Sequence, residues 1–316
     1  MKLRLLRLRP IGLALRVASI AALIVFSSSL FAQWPKFQQP GVPRDAQGRV
    51  VMDAKAPRTP DGKPDLSGVW VRADRDPLPS ELAGVVAARG ETNRGGADRV
   101  VVEPPTAPFP ADPNAPSLAT FFDLGANVPG GLPFTPFAAD MKKKRMATND
   151  KENPDANCLP MGLTQFHMQP QPRKIVQTPN LILILYEANY GLRYIYMDGR
   201  SLPPQGDPQP FWYGYSVGHW EGDTLVVETN NLRGAEDGPS DGWLDVRGSP
   251  YSEEARFVER FRRPSYGKLE IDVTLTDSKS YTKPFTVRIN QRFLDEEPIE
   301  FVCNENQQFR QRIKLD

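Results

Sequence analysis

Residues 255–276 read ARFVERFRRPSYGKLEIDVTLT. Leu269, Ile271, Val273 and Leu275 alternate with Glu270, Asp272 and Thr274. A period of two puts the apolar set on one face of a strand and the polar set on the other. ARFVERF runs up to Pro264-Ser265-Tyr266-Gly267, a turn signal, so the segment predicts a β-hairpin with one buried face.

The same grammar extends outward. KIVQ, a TPN turn and LILILYE form a second predicted hairpin, and LRYIYM follows. WYGYSVGHW and TLVVET flank Glu221-Gly222-Asp223, a third. FTVRINQRF repeats the alternation through Phe285, Val287 and Ile289, and IEFVC reads as a closing strand. With GVW at 68–70 this makes about nine or ten short antiparallel strands, an all-β domain. Such a series buries its apolar face by curling into a barrel or by splitting into two sheets. Closure also removes exposed edges, so the expected fold class is mainly β, an antiparallel barrel or strongly curved sheet, with GVW completing the ring beside the C-terminal strand.

The N-terminal part reads differently. Lys2, Arg4, Arg7, Arg9 and Arg16 precede an apolar run, Val17 to Phe26, and a small-residue stretch ending at Ala32. That order predicts a signal peptide over 1–32, a periplasmic or secreted protein, and no membrane span after cleavage. Residues 33–66 read as an extended, weakly ordered lead-in. A single β domain spans 67–316 and contains an irregular proline- and glycine-rich insertion at 73–134, with one short helix near Ser80 to Arg89. The chain has 32 prolines, about twice the usual share. A further helix is expected at Pro136 to Ala147, capped by Thr135, with Lys142 to Arg145 at the end where the helix dipole favours cations.

With 39 basic and 38 acidic residues the formal charge is +1, which gives no electrostatic case for a nucleic-acid partner. There are two cysteines, Cys158 and Cys303. Export favours an intrachain disulfide between them, closing a separation of 145 residues and tying the start of the strand series to its last strand. Two scattered cysteines and two histidines have no metal-ligand spacing, and no cofactor motif is present.

Several stretches together resemble a family of uncharacterised exported proteins of acidobacteria and proteobacteria: PDGKPDLSGVW at 60–70, NCLPMG at 157–162, PRKIVQTP at 172–179, YGYSVGHWEGDTLVVET at 213–229, ERFRRP at 259–264, YTKPFTV at 281–287 and VCNEN at 302–306. The resemblance implies export and a single domain, and no reaction. The GVW opening alone is similar to lipocalin-like barrels.

Four sets of residues are candidates for chemistry. His219, near Glu221 and Asp223, is a candidate general base, though acids at a turn also serve turn geometry. Tyr194, Tyr196, Trp212, Tyr213 and Tyr215, with His219, form an aromatic cluster that suits a small or carbohydrate-like ligand, and aromatics also favour strands as such. Glu259 shares the apolar face of Phe257 and Phe261 and needs a partner there, Arg193 or Arg260. His167, in TQFHMQPQP, reads as lying in a proline-flanked loop that could meet His219. The expected function is ligand binding. The alternatives are a hydrolase or lyase using His219 with nearby acids, and an envelope scaffold that docks a partner through the proline-rich arm.

Overall fold

In the computed structural model, described for residues 39–73, 112–206 and 209–303, nine strands close a barrel. They are β1 (Gly68–Arg72), β3 (Arg173–Gln177), β4 (Leu181–Tyr186), β5 (Gly191–Tyr196), β6 (Tyr215–Glu221), β7 (Thr224–Asn230), β8 (Arg256–Ser265), β9 (Lys268–Thr276) and β10 (Phe285–Phe293). The ring closes where β1 pairs with both β3 and β10, in register Trp70–Phe293 and Trp70–Arg173. A two-residue strand, β2 (Ser117–Leu118), adds in parallel to β10 beyond the end of β1. The predicted signal peptide and the helix near Ser80 to Arg89 lie outside the described residues.

Alternation decides what fills the ring. Leu269, Ile271, Val273 and Leu275 point inward and are buried. Ile182, Ile184, Ile195, Val227, Phe257, Phe261, Val287 and Ile289 join them in one apolar core. Buried apolar area contributes roughly 25 cal/mol per Å², so this lumen is the main stabilising feature of the fold. Pro264 lies inside β8 rather than in the turn, at a register shift between Arg262 and Ser265; the turn itself is Tyr266-Gly267. A bulge is where a strand tolerates a residue without a backbone donor.

Three expectations are corrected. The series is not wholly antiparallel: β5 and β6 pair in parallel, through Ile195–Ser216 and Tyr196–Val217. The connection over 197–214 is long enough to cross one barrel end instead of turning back as a hairpin. IEFVC is not a strand, because the ring is already closed by β10 and β1. The disulfide between Cys158 and Cys303 is formed, with Cα atoms 5.6 Å apart, but Cys303 lies past the last strand, not within it.

Helix α1 (Pro136–Ala147) begins as predicted, with Thr135 Oγ1 accepting from Ala138 N and Pro136 in the first turn. Its basic end is engaged: Arg145 is buried, stacks 4.2 Å from the Trp243 ring and donates to the carbonyls of Asp241 and Gly242. The loop expected around His167 is instead a six-residue helix, α2 (Leu163–Met168), every residue of which is buried. A helix that short is held by packing, not by propensity. Pro170 makes Gln169 extended and ends it. Gly162, its N-cap, lies so close to Trp243 that a Cβ there would stand 2.1 Å from the Trp243 carbonyl oxygen. The lead-in is tied down where it is described: Tyr266 and Gly267 donate to the carbonyls of Ala54 and Met52, and Arg58 pairs with Asp223.

Candidate functional site

Two polar constellations stand out, one inside the barrel and one outside. The inner one forms because α2 brings His167 into the barrel's core, where its Nε2 lies 2.8 Å from Glu259 Oε1. Arg193 of β5 grips the same carboxylate, with Nη1 donating to Oε1 at 3.0 Å and Nη2 donating to Oε2. Arg193 Nε also donates to Ser216 Oγ at 3.2 Å, and Nη2 donates to Thr229 Oγ1 at 3.0 Å. Of the two partners considered for Glu259, Arg193 is the one used; Arg260 faces outward to Glu221 at 2.6 Å.

Burial alone would raise the Glu259 pKa, but the Arg193 charge and the hydrogen bonds from His167 and Arg193 bring it down to about 2. Burial pushes the His167 pKa below its usual value, against the pull of Glu259. Nε2 faces the Glu259 carboxylate and is the ring nitrogen that donates to it, while Nδ1 has no hydrogen-bond partner among the described residues. Arg173, on β3, donates to the carbonyls of His167 and Gln169 and so holds the C-terminal end of α2. Tyr186 packs beside this group, and burial raises its hydroxyl pKa to about 12. His167, Arg193 and Glu259 are each 1% exposed or less, so no substrate reaches them in this arrangement.

The outer constellation gathers part of the predicted aromatic cluster. Tyr194 and Tyr196 of β5 and Tyr215, Val217 and His219 of β6 alternate with buried residues and so face outward. The Tyr196 and Tyr215 rings stack with centroids 5.1 Å apart. The Arg200 guanidinium lies 3.9 Å from the Tyr196 centroid and donates to the Tyr215 hydroxyl at 3.0 Å. Asp198 fixes that guanidinium through Nε and Nη2 at 2.9 and 2.6 Å. Tyr194 is 46% exposed and Phe211, beside Tyr215, is 43% exposed. β4 continues the wall with Leu181, Leu183 and Leu185, while the outer wall of β8 to β10 carries an Arg262–Asp272–Arg288 charge ladder.

The remaining predicted site residues, and His219 on the same outer wall, have partners of their own. Tyr213 turns inward against Phe166 and Tyr186. Trp212 lies under the Arg233 guanidinium, at 4.7 Å. His219 is exposed on the outer wall, with Nε2 3.4 Å from Glu221 Oε1, and does not meet His167. Arg260 first and His219 second hold the Glu221 pKa below its ordinary value. Asp223 is engaged with Arg58. Among the described residues no set of histidine, cysteine and acidic side chains is placed to hold a metal ion.

Sequence reasoning missed α2, because LTQFHM is too short for a helical period and buries its polar Thr164, Gln165 and His167 along with its apolar residues. It also missed two clefts on the surface. One, of about 550 Å³, lies between the end of α1 and the loop holding Phe121 and Phe122. The other, of about 470 Å³, is bordered by Lys55 and by the Arg58–Asp223 pair. Neither is lined by the aromatic cluster.

No helix among the described residues is long and apolar enough to cross a membrane. No protein-family model matches this chain, and neither a curated protein nor a solved structure matches it significantly.

Proposed function

We propose that this chain is an exported binding protein, periplasmic or secreted, that holds a carbohydrate-like chain on the outer wall of β5 and β6. The observation that carries the reading is the Arg200–Tyr196–Tyr215 stack, preset by Asp198 and flanked by exposed Tyr194 and Phe211. Ring faces take the C–H faces of sugars, and the tyrosine hydroxyls and the guanidinium take their oxygens. The wall is open, not a pocket, so a chain that extends along it gains more contact than a single small molecule would.

Three further observations support the reading. The lumen is occupied by side chains, which leaves the exterior for recognition. The Cys158–Cys303 bond fits an oxidising compartment. The basic-apolar-small leader and the motifs resembling exported bacterial proteins point the same way. The hydrolase alternative has less to stand on, since the acids around His219 are taken up by Arg260 and Arg58.

Affinity electrophoresis against a panel of soluble polysaccharides tests the proposal. At least one polysaccharide should retard the protein, and Tyr196→Ala and Tyr215→Ala should each weaken retention by about tenfold, the equivalent of one lost ring stack. No retardation by any member, or retardation unchanged in both variants, overturns it.

A further inference from the structure

Arg200 is the cation built into the Tyr196–Tyr215 stack, and its charge is cancelled where it stands. Asp198 accepts from Nε through Oδ1 at 2.9 Å and through Oδ2 at 3.1 Å, and from Nη2 through Oδ2 at 2.6 Å. The turn between them sets this up. Gly199 has φ of 82°, and Arg200 N donates to Asp198 Oδ1 at 3.3 Å, so the carboxylate is aimed by its own turn. Hydrogen bonds from Arg200 hold the Asp198 carboxyl below its ordinary value, so it is ionised at neutral pH. Both groups are within reach of a ligand, with 42% and 34% of the Arg200 and Asp198 side-chain surfaces exposed.

Nε is taken by Asp198, Nη2 gives one N–H to Asp198, and Nη1 gives one to the Tyr215 hydroxyl. One N–H on Nη1 and one on Nη2 keep no partner among the described residues and can donate to an oxygen. The rest of the wall adds no net charge. β4 and β5 present leucines and tyrosines outward. At the margins Lys174 pairs with Glu297 and Glu221 pairs with Arg260, both at 2.6 Å. Glu228 of β7 and Arg256 of β8 face outward with opposite signs, and Glu228 lies in register with Val258, two residues from Arg256.

Resting on the polysaccharide reading, we infer that the chain held on this wall is an uncharged polysaccharide, and that Asp198 excludes acidic ones by neutralising Arg200. A carboxylate or sulfate on the ligand meets Asp198 wherever it meets Arg200. It sheds water and gains no free positive charge in return. A hydroxyl or ring oxygen gives up less hydration and accepts from the same two N–H groups, while the sugar's C–H face lies on the tyrosines. Asp198 is thus a specificity-determining residue: it keeps the guanidinium as an oriented donor and removes its pull on anions.

Depletion of the protein by polysaccharide beads tests this. Dextran, cellulose and galactomannan are each presented in two forms, hydroxyethylated and carboxymethylated to the same degree, so the substituents are alike in size and differ in charge. The native protein should bind the hydroxyethylated form of at least one polymer about threefold or more tightly than the carboxymethylated form. Asp198→Asn keeps an acceptor for Nε and frees the guanidinium charge. It should abolish or reverse that preference, and the gain on the carboxymethylated form should disappear at high salt. The readout is a ratio within one variant, so a weakened fold or a disturbed stack, which lowers both affinities, does not imitate it. Equal or tighter binding of the carboxymethylated form by the native protein, or a native ratio unchanged in Asp198→Asn, overturns the inference and leaves polysaccharide binding standing. Binding to neither form of any polymer removes both.

Discussion

Arg193 of β5 and Glu259 of β8 meet inside the barrel, Nη1 3.0 Å from Oε1, across the two strands that separate them in the sheet. The pair lies behind the short parallel seam between β5 and β6. Arg193 also donates to Ser216 on β6 and to Thr229 on β7, so one guanidinium ties four consecutive strands where the backbone ladder is thinnest.

Removing one partner leaves an uncompensated buried charge. Arg193→Met or Glu259→Gln should each cost about 3–5 kcal/mol in urea unfolding, and the double change to Met and Leu should cost less than the sum of the singles. Additive losses would show that the two groups act independently.

Acid should weaken the fold in two steps. The His167 pKa is lowered in the folded state, so the unfolded chain binds the extra proton and stability falls as pH drops below about 6.5, by up to about 1.4 kcal/mol per pH unit. Glu259 titrates at about 2 when folded, so the stability it contributes is present above about 4.5 and is lost as pH falls from there towards 2. Unfolding free energies measured from pH 7.5 to 4 should show the first step in the native protein and not in His167→Gln. A native profile that is flat between pH 7 and 5 would contradict the assignment.

The disulfide joins the segment between α1 and α2 to the chain beyond β10. For a separation of 145 residues, the Cys158→Ser/Cys303→Ser protein should be about 2–5 kcal/mol less stable than the native one. An unchanged Tm on full reduction would show that the bridge does not constrain the unfolded chain.

Helix α2 enters through two close approaches. A Cβ at Gly191 would stand 3.0 Å from Phe166 Cζ, and one at Gly162 would stand 2.1 Å from the Trp243 carbonyl. Gly162→Ala should destabilise by about 1–3 kcal/mol or more, since backbone cannot move aside as a side chain can. A Tm within a degree of the native value would mean that α2 shifts freely in its seat.

The strands were legible because each carries its own alternation: LEIDVTLT and FTVRINQRF show a buried and an exposed face within one segment. The α1 cap was legible for the same local reason. The parallel seam was not, because strand direction depends on where the 197–214 connection runs, which no local pattern encodes. Glu259 announced its need for a partner, yet His167 arrived from a helix whose six residues are all buried and so leave no amphipathic trace. The aromatic residues lie close together in sequence, and alternation divides them: Tyr194, Tyr196 and Tyr215 face outward, whereas Tyr213, before the start of β6, turns inward.

The separation of a filled interior from a recognising exterior is tested most directly by NMR. An oligosaccharide of the bound type, titrated into isotope-labelled protein, should shift the aromatic resonances of Tyr194, Tyr196 and Tyr215 and the Arg200 side chain, and leave His167 and the Arg193 guanidinium unmoved. Shifts centred on His167 and Arg193, with the tyrosine wall silent, would contradict it.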